Sequence, residues 1–239
     1  MPALPFQTEA VWFAAFLAIS FACVAIIREF NKRGKMTGID VNKAGKPVIP
    51  ESAGIALLIP LLVAVALLLQ WQKQLDLISW FALAAFFCVV GFADDWCKSR
   101  KIHVSWLLRA LPIGLASLLF AGVYAWNPVW VVPLALFLTG MASFQNTFAG
   151  LNGMEIGCAF LISVFQVSVL WSTELKWMAL ALSAAILGLL LWNRFPAKVF
   201  PGDSGTLLIG AALGGLFLLS GNEKNIAFGA LLFLPHALD

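Results

Sequence analysis

The chain has 239 residues, of which 62% are apolar and only 11% charged, with a formal net charge of +3. Soluble domains carry about 25% charged residues, so these charges could not cover a soluble fold of this length, and the remaining apolar surface is expected to face lipid. Four scattered cysteines (Cys23, Cys88, Cys97 and Cys158) lack metal-ligand spacing and read as small apolar side chains or idle thiols.

A membrane span needs about 20 mostly apolar residues. The first uncharged run, 10–27, lacks the basic start and small-residue cleavage site of a signal peptide and is read as a retained helix. The loop that follows, GIDVNKAGKPVIPES over 38–52, holds two stiffening prolines and ends with Glu51 at the mouth of the second run, 52–72. A carboxylate there suits the positive end of a helix, so Glu51 is either a helix-start residue or a site residue.

The third run, 77–93, ends in Asp94-Asp95. Two adjacent carboxylates at a helix C-terminus oppose its dipole and repel each other, at a cost of about 1 kcal/mol from the dipole alone. A metal ion, another cation or a proton-transfer role would resolve that conflict. The basic run Lys98, Arg100, Lys101 and His103 follows at once and could balance the acids or bind phosphate.

Between Arg109 and Glu155 lie 45 uncharged residues, enough for two spans broken at Asn127-Pro128. At the end of the second of these, Asn146 falls within a helix, where an amide needs a partner and its carbonyl oxygen is a hard ligand suited to Mg²⁺. Asn152-Gly153 is a turn signal. Runs 156–173 and 177–193 follow, then FPAKVFPGDSGT, whose Gly-flanked Asp203 reads as a helix N-cap or an anion-facing turn. Phe200 before it is an aromatic that could stack on a base. The last runs are 204–222 and 225–238. The expected fold is an all-α bundle of eight full spans and a shortened ninth, forming a single transmembrane domain over 1–239.

With nine alternating spans, one set of loops holds Arg28, Lys32, Arg33, Lys35, Lys43, Lys46, Lys98, Arg100, Lys101, Arg109, Arg194 and Lys198, and the other holds Lys73, Lys176 and Lys224. That is 12 against 3, which puts the first set in the cytoplasm and the N-terminus outside. Trp71, Trp80, Trp126, Trp130, Trp171 and Trp177 fall near the predicted outer ends and read as an interfacial belt. Three carboxylates, an amide and a basic run therefore share one face. Such a set could hold Mg²⁺ and a diphosphate, and it points to phosphoryl transfer at the membrane surface. A transporter would carry its charges nearer the midplane, which here is almost free of charge.

Those residues resemble the polyprenyl-phosphate N-acetylhexosamine-1-phosphate transferases, in glycosyltransferase family 4. The pattern G-x-D-x-N-K-x-x-K-P-V-I-P-E-S-x-G from Gly38 to Gly54 is similar to the branch that acts on UDP-N-acetylglucosamine and dolichyl phosphate. GFADD, the N-x-x-x-G-x-N-G-x-E-x-G segment from Asn146 to Gly157, and VFPGDSGT match in the same order.

The resemblance implies that Asp203 and Asn146 hold Mg²⁺ or Mn²⁺. It implies that Asn152, Glu51 and Phe200 contact uridine, and it places Ile39, Asp40 and Val41 on the substrate. Asp94, Asp95 and Asp203 become the catalytic acids, with Asp94 the base for the lipid phosphate. The phosphate-binding basic residue would be Lys101 or Arg109. The implied reaction moves N-acetylglucosamine 1-phosphate from UDP-GlcNAc to a polyprenyl phosphate and releases UMP. The alternatives are another UDP-sugar, such as the peptidoglycan precursor, or a non-catalytic nucleotide- or lipid-binding protein.

The implied partners are the nucleotide sugar, the lipid phosphate, the membrane and a second copy of the chain, with no nucleic acid. The membrane would be the endoplasmic reticulum in a eukaryote and the plasma membrane in a prokaryote. Family members continue into an Arg- and His-rich sugar-binding loop and a last helix, and the 239 residues are expected to lack both, as a fragment or as a variant that completes its site another way; the lone His236 is read as structural.

Overall fold

The computed structural model describes residues 6–71, 74–148 and 151–233. Nine helices form among them: α1 (Phe6–Gly34), α2 (Leu58–Trp71), α3 (Leu75–Ser99), α4 (Trp106–Tyr124), α5 (Val131–Thr147), α6 (Met154–Val169), α7 (Thr173–Asn193), α8 (Gly202–Leu219) and α9 (Glu223–Leu232). A 3-10 turn over Ala53–Leu57 leads into α2. The chain is thus an all-helical membrane protein, with one small exception. The loop after α1 contains an antiparallel ribbon of β1 (Thr37–Ile39) and β2 (Val48–Pro50), with Thr37 opposite Pro50 and Ile39 opposite Val48.

Among the described residues, seven helical segments are long and apolar enough to cross a membrane. The predicted span after Glu155 differs: α6 has 16 residues, about 24 Å at 1.5 Å per residue, short of a hydrocarbon core of about 30 Å. In the other direction, α1 exceeds its apolar run at both ends, because charged residues carry a helix on beyond the lipid. Lys73, His236 and the side chain of Trp71 lie outside the described residues.

Helix α8 is the hub of the bundle. Every residue from Ser204 to Leu218 is buried, against α3, α5 and the 3-10 turn. Such close approach requires residues without side chains. A Cβ on Gly54 would overlap Gly205 of α8, and one on Gly91 of α3 would overlap the backbone of Asp203.

Trp80 is part of this core rather than of an interfacial belt. It is fully buried, and its indole N–H donates to the Ala212 carbonyl at 2.8 Å, the partner a buried indole needs. Trp177 is also buried, edge-on to Trp12. Trp126, Trp130 and Trp171 are exposed as a belt requires. All four cysteines are free.

Candidate functional site

The two loops that the sequence singles out are joined by their backbones. The Phe200 N–H donates to the Pro50 carbonyl (2.8 Å), Ala53 N–H to the Phe200 carbonyl (3.0 Å), and Gly54 N–H to the Pro201 carbonyl (3.0 Å). The KPVIPES loop and the VFPGDSG loop therefore form one hydrogen-bonded unit. Gly202 sits at φ 68° against Ser52 and Asp95, a left-handed conformation that glycine adopts without strain.

The adjacent acids at the end of α3 have different surroundings. Asp95 is buried and accepts hydrogen bonds from the Ser52 hydroxyl, from the Asp203 N–H at 2.9 Å and from the Ser204 N–H at 3.1 Å. It caps the first turn of α8 from a neighbouring helix. Asp203 is consequently not the N-cap: α8 starts at Gly202, and Asp203 stands in its first turn.

Asp94 and Asp203 turn toward each other between two cations. Lys98 Nζ lies 2.8 Å from Asp94 Oδ2 and 2.9 Å from Asp203 Oδ2, and Arg109 Nη1 lies 3.0 Å from each. The conflict between the acidic pair and the dipole of α3 is relieved by Lys98, one turn on, and by Arg109 from α4. Lys101 is exposed and takes no part in this cluster.

A cavity of about 290 Å³ opens beside the cluster. It gathers Ile39, Asp40, Val41, Glu51, Asn146, Asn152, Phe200 and Asp203 from five separate stretches of chain. Asp40 anchors one wall. Its carboxylate accepts from Asn152 Nδ2 and Lys43 Nζ, both at 2.9 Å. These partners, the Asn152 hydrogen bond foremost, hold Asp40 below its ordinary carboxylate value. Ile39 and Val41 flank it and are exposed.

The Gly153 N–H donates to Asn193 Oδ1 at 3.1 Å, which orients the turn that carries Asn152. Glu51 is different from Asp40: burial first, then the negative charge of Asp95, raises it from 4.5 to about 7.

On the opposite wall, the Thr206 hydroxyl donates to Asn146 Oδ1 at 2.6 Å and lies one turn beyond Asp203. This puts an amide oxygen, a hydroxyl and a carboxylate close together. Among the described residues no cluster of three His, Cys, Asp or Glu side chains could hold a metal. The donor set fits a hard cation such as Mg²⁺, which takes one or two carboxylates and completes its shell with phosphate and water oxygens.

Three residues here fall outside the predicted site, while Lys98 is the member of the predicted basic run that balances the acids. Lys98 is legible from its spacing of four from Asp94, and Thr206 from its spacing of three from Asp203. Glu155, buried in the first turn of α6, reads in sequence as a dipole partner. Asn193 gives no signal within an apolar helix.

The family model described as glycosyl transferase family 4 matches residues 77–221. A Methanocaldococcus jannaschii protein named as a glycosyltransferase is 29% identical over 230 residues, covering 94% of this chain and 72% of the relative. A phospho-N-acetylmuramoyl-pentapeptide-transferase of Aquifex aeolicus is 30% identical over 79% of this chain and 63% of its own length. One from Synechococcus is 33% identical over 83% and 61%. The chain thus spans less than two thirds of the length of these two transferases.

The unequal surroundings of the acids predict unequal variants. Asp95→Ala leaves three donors unpaired and should lower stability by about 3 kcal/mol, whereas Asp94→Asn should cost less, because Lys98 and Arg109 both keep Asp203 as a partner. Thermal unfolding in detergent measures both, and equal losses would contradict the assignment. Glu51 gives a pH dependence. Because its folded-state value is raised, the folded chain holds the proton more tightly, and stability should fall as pH rises from about 4.5 to about 7. Glu51→Gln should remove that component from a Tm series over the same range.

Proposed function

Because this chain belongs to glycosyl transferase family 4, we propose that it transfers N-acetylglucosamine 1-phosphate from UDP-GlcNAc to a polyprenyl phosphate, dolichyl or undecaprenyl. The products are UMP and the lipid-linked sugar diphosphate from which a glycan, such as that used in protein N-glycosylation, is assembled. One observation carries the reading: Asp94 and Asp203 meet between Lys98 and Arg109 beside a cavity lined by Glu51, Asn146, Asn152 and Phe200. Cations among acids at the end of a membrane bundle suit a reaction in which both partners carry phosphate and one is a lipid.

In this reading an oxygen of the lipid phosphate attacks the β-phosphorus of the nucleotide sugar. The new P–O bond forms as the bond to the bridging oxygen breaks, and that oxygen leaves on UMP with the electron pair. Asp94 takes the proton from a lipid phosphate that arrives protonated. Arg109 and Lys98 offer N–H groups to phosphate oxygens, where charge-assisted hydrogen bonds are strong. Mg²⁺, with Mn²⁺ as its substitute, would be held by Asp203 and Asn146 and would supply positive charge to the diphosphate. Phe200 stacks on uracil, and Glu51 and Asn152 hydrogen-bond the uridine.

Asp40 holds Asn152 in place, with Ile39 and Val41 at the rim. Asp95 acts through α8 as a positioning residue. The excess of 12 basic residues over 3 supports a cytoplasmic site, and pairing of two copies belongs to the same proposal. A second reading keeps the chemistry and replaces the sugar with N-acetylmuramoyl-pentapeptide, favoured by the names of the Aquifex and Synechococcus relatives. The KPVIPES loop favours the first.

The test is UMP release by the protein in native membranes supplied with polyprenyl phosphate and either nucleotide sugar. The expected result is Mg²⁺-dependent release with UDP-GlcNAc alone, reduced at least about 100-fold by Asp203→Asn. Release only with the muramoyl-pentapeptide nucleotide would move the assignment to the second reading. No release with either would overturn both.

A further inference from the structure

A second cavity, of about 590 Å³, lies beside the β1–β2 ribbon and shares no lining residue with the first. Four cations line it. Arg28 and Lys32 stand one turn apart on α1, Lys35 follows the last residue of that helix, and Lys198 comes from the segment after α7. Among the described residues the only ion pair these four make is Arg28 with the exposed Glu29, at 2.8 Å. Like charges held this close repel unless an anion joins them. The dipole at the end of α1 accounts for Lys32. It does not account for Arg28, two turns back, or for Lys198 on another element.

The cluster is also held in shape. Arg28 and Lys198 both sit against the Trp192 ring, 5.6 and 5.7 Å from its centroid. The Trp192 indole N–H donates to the Phe21 carbonyl at 3.2 Å, which ties α7 to α1 and fixes the ring. Arg28 Nε is buried and has no hydrogen-bond partner. Two turns back from Arg28 on the same face of α1, Phe21 is 42% exposed and lies 4.9 Å from the Trp192 ring, an apolar surface beside the cations.

We propose that this cavity binds the phosphate of an anionic glycerophospholipid, whose acyl chains lie along α1. Basic residues at the end of a membrane helix attract anionic headgroups additively. Here two elements and an aromatic brace convert that general attraction into a discrete site. The apolar flank favours a bilayer lipid over a soluble phosphate.

The test is native mass spectrometry of the protein in detergent with phosphatidylglycerol or phosphatidylcholine added. Wild type should retain phosphatidylglycerol about tenfold more tightly than phosphatidylcholine. The triple variant K32A/K35A/K198A should lose that preference, while Lys224→Ala, far from the cavity, should keep it. Lys198→Gln alone should weaken the preference and covers the case in which the triple variant does not fold. Unchanged retention in the variants would overturn the proposal. So would displacement of the phosphatidylglycerol by millimolar inorganic phosphate, which would show a site for a soluble anion.

Discussion

The buried carboxylate of Asp95 is the constraint on which the rest of this structure depends. A carboxylate removed from water must be given donors, and Asp95 takes three, from Ser52 and from the first-turn N–H groups of Asp203 and Ser204. Those bonds fix the start of α8 against the end of α3. They also bring in the KPVIPES loop, already joined by backbone hydrogen bonds to Phe200 and Pro201. Three stretches distant in sequence are thereby held within one hydrogen-bonding unit. Asp203 is directed at Asp94 because its own backbone is held by the neighbouring acid.

The same geometry explains how opposed charges coexist at the end of an apolar bundle. Asp94 and Asp203 are held together by two cations, one a turn along α3 and one from α4. Each cation meets both acids, so the charges balance within one compact unit. Such a unit is a good receptor for phosphate, because the incoming oxygens replace carboxylate oxygens around cations already in position. The glycine contacts between α8 and its neighbours serve the same end. They allow backbones to approach closely enough that the acids at the helix ends meet.

Much of this was legible in the sequence, because lipid imposes a simple rule on composition. The apolar runs locate the helices, and the interruptions at 38–52, Asp94-Asp95, Asn146–Asn152 and 195–206 are the stretches that converge. What could not be read depends on direction in space. Neighbouring residues on a helix point about 100° apart, so Asp94 and Asp95 look alike in sequence and differ in structure. The choice between Lys101 and Arg109 depends on how α4 returns against α3. The β1–β2 ribbon is too short, at three residues a strand, to leave a periodic pattern. Trp80 was misplaced because an indole at a helix start looks the same whether it meets lipid headgroups or the Ala212 carbonyl.

The central claim is that this end of the bundle performs phosphoryl transfer to a lipid rather than transfer of the sugar alone. Its most direct test follows a label in the β-phosphate of the nucleotide sugar, with the protein in membranes that contain polyprenyl phosphate. In the proposed reaction the label enters the lipid fraction while unlabelled UMP is released. Label remaining in water-soluble UDP, with the sugar on the lipid, would contradict it.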